Sequence, residues 1–156
     1  MRRLVVMRHA KSDWSAPVGD RQRPMTRRGR RQADEAGRWL AEQDWTIDLA
    51  VVSPAVRAAG AWEVAATHLP EPPPVTHDEA AYTFEGEGLR RLVRALPKEV
   101  KVVALVGHNP AVSELVEDLT GRWVQMTTSA LAVVELDSWH SRMGRLAAFG
   151  RPPGSA

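Results

Sequence analysis

The apolar run Leu4-Val5-Val6-Met7, followed directly by Arg8-His9, decides the fold of this chain. A second run, Val102 to Val106, is followed by Gly107-His108, and Leu49 to Val52 forms a third. Short apolar runs that are rich in β-branched residues and bounded by polar residues are typical of strands buried on both faces. Ligands of open α/β sheets bind at the carboxyl ends of such strands. We therefore expect the polar residues that follow these runs to share one site.

Segments with helical spacing alternate with the predicted strands. A helix capped by Thr26 is predicted to run to about Glu42, and three more helices are predicted over about 55–68, 89–97 and 110–121. Val75 is expected in a short edge strand, and residues 130–136 and 145–149 are expected to pair as late strands. This alternation predicts a three-layer α/β sandwich, in which helices cover both faces of a mostly parallel sheet.

The length and composition indicate one globular domain. The chain has 156 residues, of which 44% are hydrophobic and 26% charged, and it has no cysteine. We expect the domain to cover residues 1–150 and a disordered tail to follow from Arg151 to Ala156. The lack of cysteine excludes disulfides, thiolate metal sites and cysteine nucleophiles. Because the first apolar run is too short for a signal peptide or a membrane span, we expect a cytoplasmic protein with no membrane partner.

Four arginines, Arg27, Arg28, Arg30 and Arg31, crowd into five positions, although the formal net charge is only +2. Such a run usually marks a solvated helix start, and the alternative is attraction of phosphate or nucleic acid. No aromatic residues are interleaved with the arginines and no nucleic-acid-binding motif is present. We therefore expect no nucleic-acid partner. The sequence sets no oligomeric state.

The residues after the three strands suit phosphoryl transfer, which spreads negative charge over the oxygens of the moving group. Arg8 and Arg57 are permanent cations that can each hold two of those oxygens. His9 can act as the nucleophile if one ring nitrogen donates to a backbone carbonyl and the other stays unprotonated. His108 supplies a third cation when it is protonated and one hydrogen bond when it is neutral.

Other phosphatase designs do not match the sequence. The chain has no Gly-x-x-x-x-Gly-Lys phosphate loop, no cysteine and no Asp-x-Asp pair after the first strand. A zinc site built from His9 and His108 would lack a third ligand. We therefore expect neither a metal nor another cofactor.

Four motifs together resemble the histidine phosphatase superfamily, which has the phosphoglycerate mutase-like fold. Met7 to Ser12 resembles its Arg-His-Gly signature, and Arg23 to Gly29 resembles its Pro-Leu-Thr-x-x-Gly segment. Ser53 to Ala58 is similar to its Ser-Pro-x-x-Arg-Ala motif, and Gly107 to Pro110 to its second histidine motif. The Gly-His-Asn-Pro form and the short length are most similar to the SixA-type phosphohistidine phosphatases.

The resemblance implies that His9 is the phosphorylated nucleophile and that Arg8, Arg57 and His108 form the phosphate pocket. Ala10 stands where the signature usually has glycine, and Glu79 is only a loose candidate for the glutamate that protonates the leaving oxygen in mutase-type members.

A site without a well-placed general acid favours a substrate with a P–N bond, because imidazole leaves more readily than an alkoxide. The sequence thus predicts a metal-independent phosphatase that acts through a phosphohistidine intermediate on phosphohistidine in proteins. The alternatives are a phosphatase of small phosphoesters or sugar phosphates, and a phosphate-binding module without turnover.

Overall fold

A computed structural model describes residues 1–154 and contains one mixed six-stranded sheet with the order β3-β2-β4-β1-β5-β6. The first four strands in this order are mutually parallel, and β5 and β6 are antiparallel to their neighbours. The predicted α/β sandwich with a mostly parallel sheet is therefore confirmed. The strands are β1 (Arg2–Arg8), β2 (Leu49–Val52), β3 (Val75–His77), β4 (Val102–Gly107), β5 (Leu131–Leu136) and β6 (Arg145–Gly150).

Helices cover both faces of the sheet, two on each face. They are α1 (Arg27–Ala41), α2 (Val56–Ala66), α3 (Gly86–Arg94) and α4 (Ala111–Thr120), with single 3-10 turns at Asp20–Gln22 and Glu79–Ala81. Alternate residues of β1 point to opposite layers, so Leu4 and Val6 pack with α3 and α4 while Val5 and Met7 pack with α1 and α2. Both sides of the central strands are thus buried, which explains their continuous apolar runs.

Local chemistry sets the ends of two helices as predicted. The Thr26 hydroxyl accepts a hydrogen bond from the backbone N–H of Gly29 at 2.9 Å and so caps α1. The last residue of α4 is followed by Gly121 in the left-handed region, with φ +73°. The four arginines at the start of α1 are all exposed, in agreement with a solvated helix start.

Two glycines of α1 allow close approach of other backbone segments. A Cβ at Gly29 would lie 2.2 Å from the carbonyl oxygen of Lys11, and one at Gly37 would lie 2.4 Å from that of Ala65. The first contact holds the start of α1 against the loop that follows β1. The second sets the distance between α1 and α2.

The segment after β6, for which a disordered tail is expected, is described as far as Gly154. Residues 151–154 form a turn that folds back on the sheet through a bridge between Gly150 and Pro153, and the Arg151 guanidinium is 3.4 Å from the Thr128 carbonyl oxygen. Ser155 and Ala156, the rest of the expected tail, lie outside the described residues. Among residues 1–154 no helix is long and apolar enough to cross a membrane.

Candidate active site

A cavity of about 420 Å³ opens where β1, β2 and β4 end. Arg8 pairs with Gly107 across the neighbouring strands β1 and β4, so the next residues, His9 and His108, emerge side by side with ring centroids 5.1 Å apart. Arg57 reaches the same cavity from the first turn of α2. The structure therefore brings together the four residues that the sequence analysis selected from three separate segments.

His9 is buried, with 7% of its surface exposed, and its ring is held in one tautomer. The Nδ1 atom lies 2.6 Å from the carbonyl oxygen of Ala10. Because a carbonyl only accepts, Nδ1 carries the proton and Nε2 keeps its lone pair. Burial lowers the pKa of His9 to about 3, a fall that the Ala10 bond partly opposes and that nearby positive groups increase. The imidazole is therefore neutral near pH 7.

Arg8 and Arg57 both contribute positive charge to the cavity. Arg57 is 1% exposed, and its Nη1 donates to the Asp20 carbonyl oxygen at 2.6 Å while its Nη2 donates to the Asp20 carboxylate at 3.0 Å. Arg8 donates to the Met126 carbonyl oxygen at 3.1 Å. Burial and the nearby Arg57 charge lower the pKa of Arg8. Two cations that share one partly dry cavity favour the entry of an anion.

His108 is neutral in this arrangement, and Ser53 fixes its tautomer. The Arg57 guanidinium can only donate, so the His108 Nδ1 that it contacts at 3.2 Å is an acceptor. The remaining ring proton lies on Nε2, which donates to the Ser53 hydroxyl oxygen at 2.7 Å. Burial, followed by the Arg57 charge, lowers the pKa of His108 to about 4. Ser53 begins the Ser-Pro-x-x-Arg-Ala motif, and its contact with His108 was not predicted from the sequence.

Comparison with known proteins identifies the family of this chain. A family model described as Histidine phosphatase superfamily (branch 1) matches residues 4–83, which is more than half of the chain. The chain belongs to the histidine phosphatase superfamily. The family and the phosphatase class predicted from the four motifs are confirmed at this level, together with the phosphoglycerate mutase-like fold.

Three individual proteins show how far the similarity extends. An uncharacterised protein of Mycobacterium leprae is 31% identical over 119 residues, which cover 74% of this chain and 71% of the relative. A structure of the protein histidine phosphatase SixA complexed with tungstate has 28% identity and a TM-score of 0.84, and covers 94% of this chain and 95% of that one. The α-ribazole phosphatase of Shigella flexneri shares the fold at 15% identity, with a TM-score of 0.74 and 99% of both chains covered.

Asp20 is a cavity residue that the sequence analysis did not select. Its carboxylate accepts from Arg23 at 3.1 Å, from Arg57 at 3.0 Å and from the Tyr82 hydroxyl at 2.5 Å. The Tyr82 bond is the largest of the effects that hold its pKa well below the usual range of an aspartate, and the two arginines add to it. Among the described residues that line the cavity, Asp20 is the only carboxylate. The one signal for it in the sequence is its place three residues before Arg23, where the superfamily's second motif begins.

Glu79, the loose candidate for a general acid, does not line this cavity. It follows the edge strand β3, where its carboxylate binds the Arg21 guanidinium through two bonds of 2.8 Å and 2.6 Å. This pairing lowers the pKa of Glu79, whose side chain is 68% exposed. Glu79 therefore lies apart from the cavity that Arg8, His9 and His108 line, and its ion pair with Arg21 keeps its carboxylate ionised.

The mouth of the cavity carries cations and aromatic rings. Trp14 is exposed, and the Arg23 guanidinium lies 3.5 Å from the centre of its ring. Phe84 is half-exposed, with its ring centroid 5.5 Å from that of His108. Lys11 and Arg151 also line the cavity. Within residues 1–154 no three His, Cys, Asp or Glu side chains are grouped so that they could hold a metal ion.

Proposed function

We propose that this protein is a metal-independent hydrolase that removes the phosphoryl group from phosphohistidine in proteins, with His9 as the covalent nucleophile. The observation that carries the proposal is the state of His9. A neutral imidazole whose Nδ1 donates to the Ala10 carbonyl presents an unprotonated Nε2 in a cavity that Arg8 and Arg57 also line. This is the arrangement that nucleophilic attack on an anionic phosphoryl group needs.

In the first step the Nε2 lone pair of His9 attacks phosphorus, and the bond from phosphorus to the leaving nitrogen breaks. The electron pair of that bond passes to the departing imidazole. Arg8 and Arg57 bind the equatorial oxygens, where they stabilise the charge that spreads over the moving group. The Ala10 carbonyl continues to accept the Nδ1 proton, and so stabilises the positive charge of the phosphorylated His9 ring.

In the second step water attacks the phosphoryl group on His9. The P–N bond breaks, its electron pair returns to Nε2, and phosphate is released carrying the oxygen and both protons of the water. His108 assists both steps once an anion is bound. When Arg57 turns from the His108 Nδ1 to a phosphoryl oxygen, Nδ1 can take up a proton and donate to the same group, because a neighbouring anion raises the pKa of an imidazole.

The preference for phosphohistidine over an alkyl phosphate rests on the acids of the site. Glu79 lies outside the cavity, and the Asp20 carboxylate has a pKa too low to supply a proton near pH 7. An alkoxide needs such a proton, whereas imidazole leaves without one. The structurally similar SixA protein, 28% identical, is named a protein histidine phosphatase and binds tungstate, a tetrahedral oxyanion like phosphate. This likeness supports the proposal.

The test is to trap the phosphoenzyme with a ³²P-labelled phosphohistidine peptide. We expect an acid-labile, base-stable label on the wild-type protein and no label on His9→Ala. The matched control is His77→Ala, a change of an exposed histidine on the edge strand, which should take up label as the wild type does. Label and turnover in His9→Ala would refute the role of His9.

The same preparations decide between the alternatives. We expect kcat/KM to be much higher for the phosphohistidine peptide than for an alkyl phosphate. Faster turnover of alkyl or sugar phosphates would indicate a small-molecule phosphatase. Binding of phosphate without hydrolysis of any activated phosphoester would indicate a binding module.

A further inference from the structure

Asp20 lies at the mouth of the cavity and His9 lies on its floor. The Asp20 side chain is 42% exposed, whereas His9 as a whole is 7% exposed. In phosphoryl transfer the attacking and leaving atoms stand in line on opposite sides of phosphorus. A group that His9 expels must therefore leave toward the mouth, where Asp20 is the only carboxylate among the described lining residues.

The hydrogen bonds of Asp20 show what happens to it when a phosphoryl group enters. Its Oδ1 accepts two N–H groups of Arg23, at 3.1 Å and 3.3 Å. Its Oδ2 accepts the Tyr82 hydroxyl and Nη2 of Arg57. A carboxylate has about four acceptor positions, so all are in use. Of these donors only Arg57 also serves the phosphate pocket. When its Nη2 turns to a phosphoryl oxygen, one position on Oδ2 becomes free beside the leaving group.

We propose that Asp20 is a catalytic residue that accepts a hydrogen bond from the protonated ring nitrogen of the departing phosphohistidine. This inference rests on the proposed function, and it names the chemical form in which the substrate reacts. The reacting imidazole carries phosphorus on one nitrogen and a proton on the other. As the P–N bond breaks, its electron pair stays on the first nitrogen, and the ring leaves as neutral imidazole with its proton still held by Asp20. No proton has to be donated by the protein.

The charge of Asp20 explains both its effect and its selectivity. An anion beside the substrate imidazole raises the pKa of that ring by one to three units, and so keeps the better leaving group populated near neutral pH. The bonds from Tyr82, Arg23 and Arg57 keep the carboxylate ionised for this purpose. An oxygen leaving group has no N–H to offer. It would develop negative charge next to Oδ2, which disfavours the reaction.

The test compares two substrates on Asp20→Asn, which keeps the size of the side chain but removes its charge. The probes are a phosphohistidine peptide and an aryl phosphate, and the readout is the ratio of their kcat/KM values at pH 7.5. We expect the ratio to fall by at least about fivefold, since an imidazole with a pKa of about 6.5 is roughly one-tenth protonated at pH 7.5, whereas one raised by about one unit is roughly half protonated. The control is Asp13→Asn, a change in the same loop at a side chain that bonds Ser15 and does not line the cavity; its ratio should match the wild type.

The comparison with the aryl phosphate distinguishes failure of the role proposed for Asp20 from failure of the proposed function. A fall of less than about fivefold in the ratio, including equal losses on both substrates, would overturn the role of Asp20 and leave it as a residue that only positions Arg57. Absence of a phosphoenzyme from either substrate in the wild-type protein would instead overturn the proposed function itself. As a second readout, the decline of phosphohistidine hydrolysis at alkaline pH should begin at least one pH unit lower in Asp20→Asn, and an unmoved profile would contradict the proposal.

Discussion

The two buried histidines should make the protein markedly less stable at mildly acidic pH. His9 and His108 have pKa values of about 3 and about 4 in the folded protein, mainly because of burial. In the unfolded chain each returns to about 6.5. Between these values the unfolded chain binds protons that the folded protein does not. Their contribution to stability is therefore fully present above about pH 6.5, and it is lost as the pH falls toward the folded pKa values.

The expected loss at pH 5 depends little on the folded pKa values, because both lie below pH 5. Only the interval from about 6.5 to 5 counts, and 1.5 pH units at about 1.4 kcal/mol per unit give about 2 kcal/mol for each histidine. The wild-type free energy of unfolding should thus fall by about 4 kcal/mol between pH 8 and pH 5 from these two residues. Asp20 and the other carboxylates with lowered pKa lose their contributions at lower pH, so this interval isolates the histidines.

Urea unfolding at pH 8 and pH 5 measures the effect in wild type, His9→Gln and His108→Gln. Comparing each protein with itself at the two pH values removes the general cost of the substitution. Each variant should lose about 2 kcal/mol less than the wild type. His77→Gln, at an exposed position, should lose as much as the wild type. If His9→Gln and His108→Gln also followed the wild type in parallel, the two imidazoles would not be held neutral in the folded protein, and the argument for His9 as a ready nucleophile would fail with them.

Two further substitutions test the packing and the phosphate pocket. Gly37→Ala should lower the free energy of unfolding by about 1–3 kcal/mol, because its Cβ would lie 2.4 Å from the Ala65 carbonyl oxygen. The control is Gly19→Ala, whose Cβ would meet only a side-chain oxygen at 3.2 Å and which should change the free energy of unfolding little. Equal effects of the two substitutions in urea unfolding would contradict the close packing of α1 on α2. Arg57→Lys should lower kcat/KM for both the phosphohistidine peptide and the aryl phosphate by roughly 100-fold, because an ammonium cannot place two fixed donors on the phosphoryl oxygens. Steady-state rates close to those of the wild type would contradict the proposed role of Arg57.

The sheet could be predicted because its strands carry local signals. The runs at Leu4, Leu49 and Val102 are apolar without interruption, and buried parallel strands need this property on both faces. The turn at Arg151 could not be predicted in the same way. The turn makes a bridge to the end of β6 and a contact with Thr128, 23 residues earlier in the chain. Such contacts leave no periodic pattern in the segment itself.

The site residues also differ in whether a local sequence signal predicts their position. Arg8, His9 and His108 stand at strand ends, so the topology alone brings them to one edge of the sheet. Asp20 lies in an irregular loop, and its partners Arg57 and Tyr82 are 37 and 62 residues away. Glu79 was selected for its position between two motifs. Its ion pair with Arg21, 58 residues earlier, is visible only in three dimensions.

The cavity gains reactivity from features that reduce the stability of the folded protein. Burial that lowers the pKa of His9 opposes folding at acidic pH, yet it also leaves Nε2 unprotonated, as the proposed nucleophile requires. Arg57 is almost fully buried. Its charge is tolerated because Asp20 accepts hydrogen bonds from both terminal nitrogens, one through its backbone carbonyl and one through its carboxylate. A phosphoryl group can replace the carboxylate on Nη2 without leaving the guanidinium unpaired. In the proposed reaction Asp20 therefore has two successive partners, first Arg57 and then the departing imidazole.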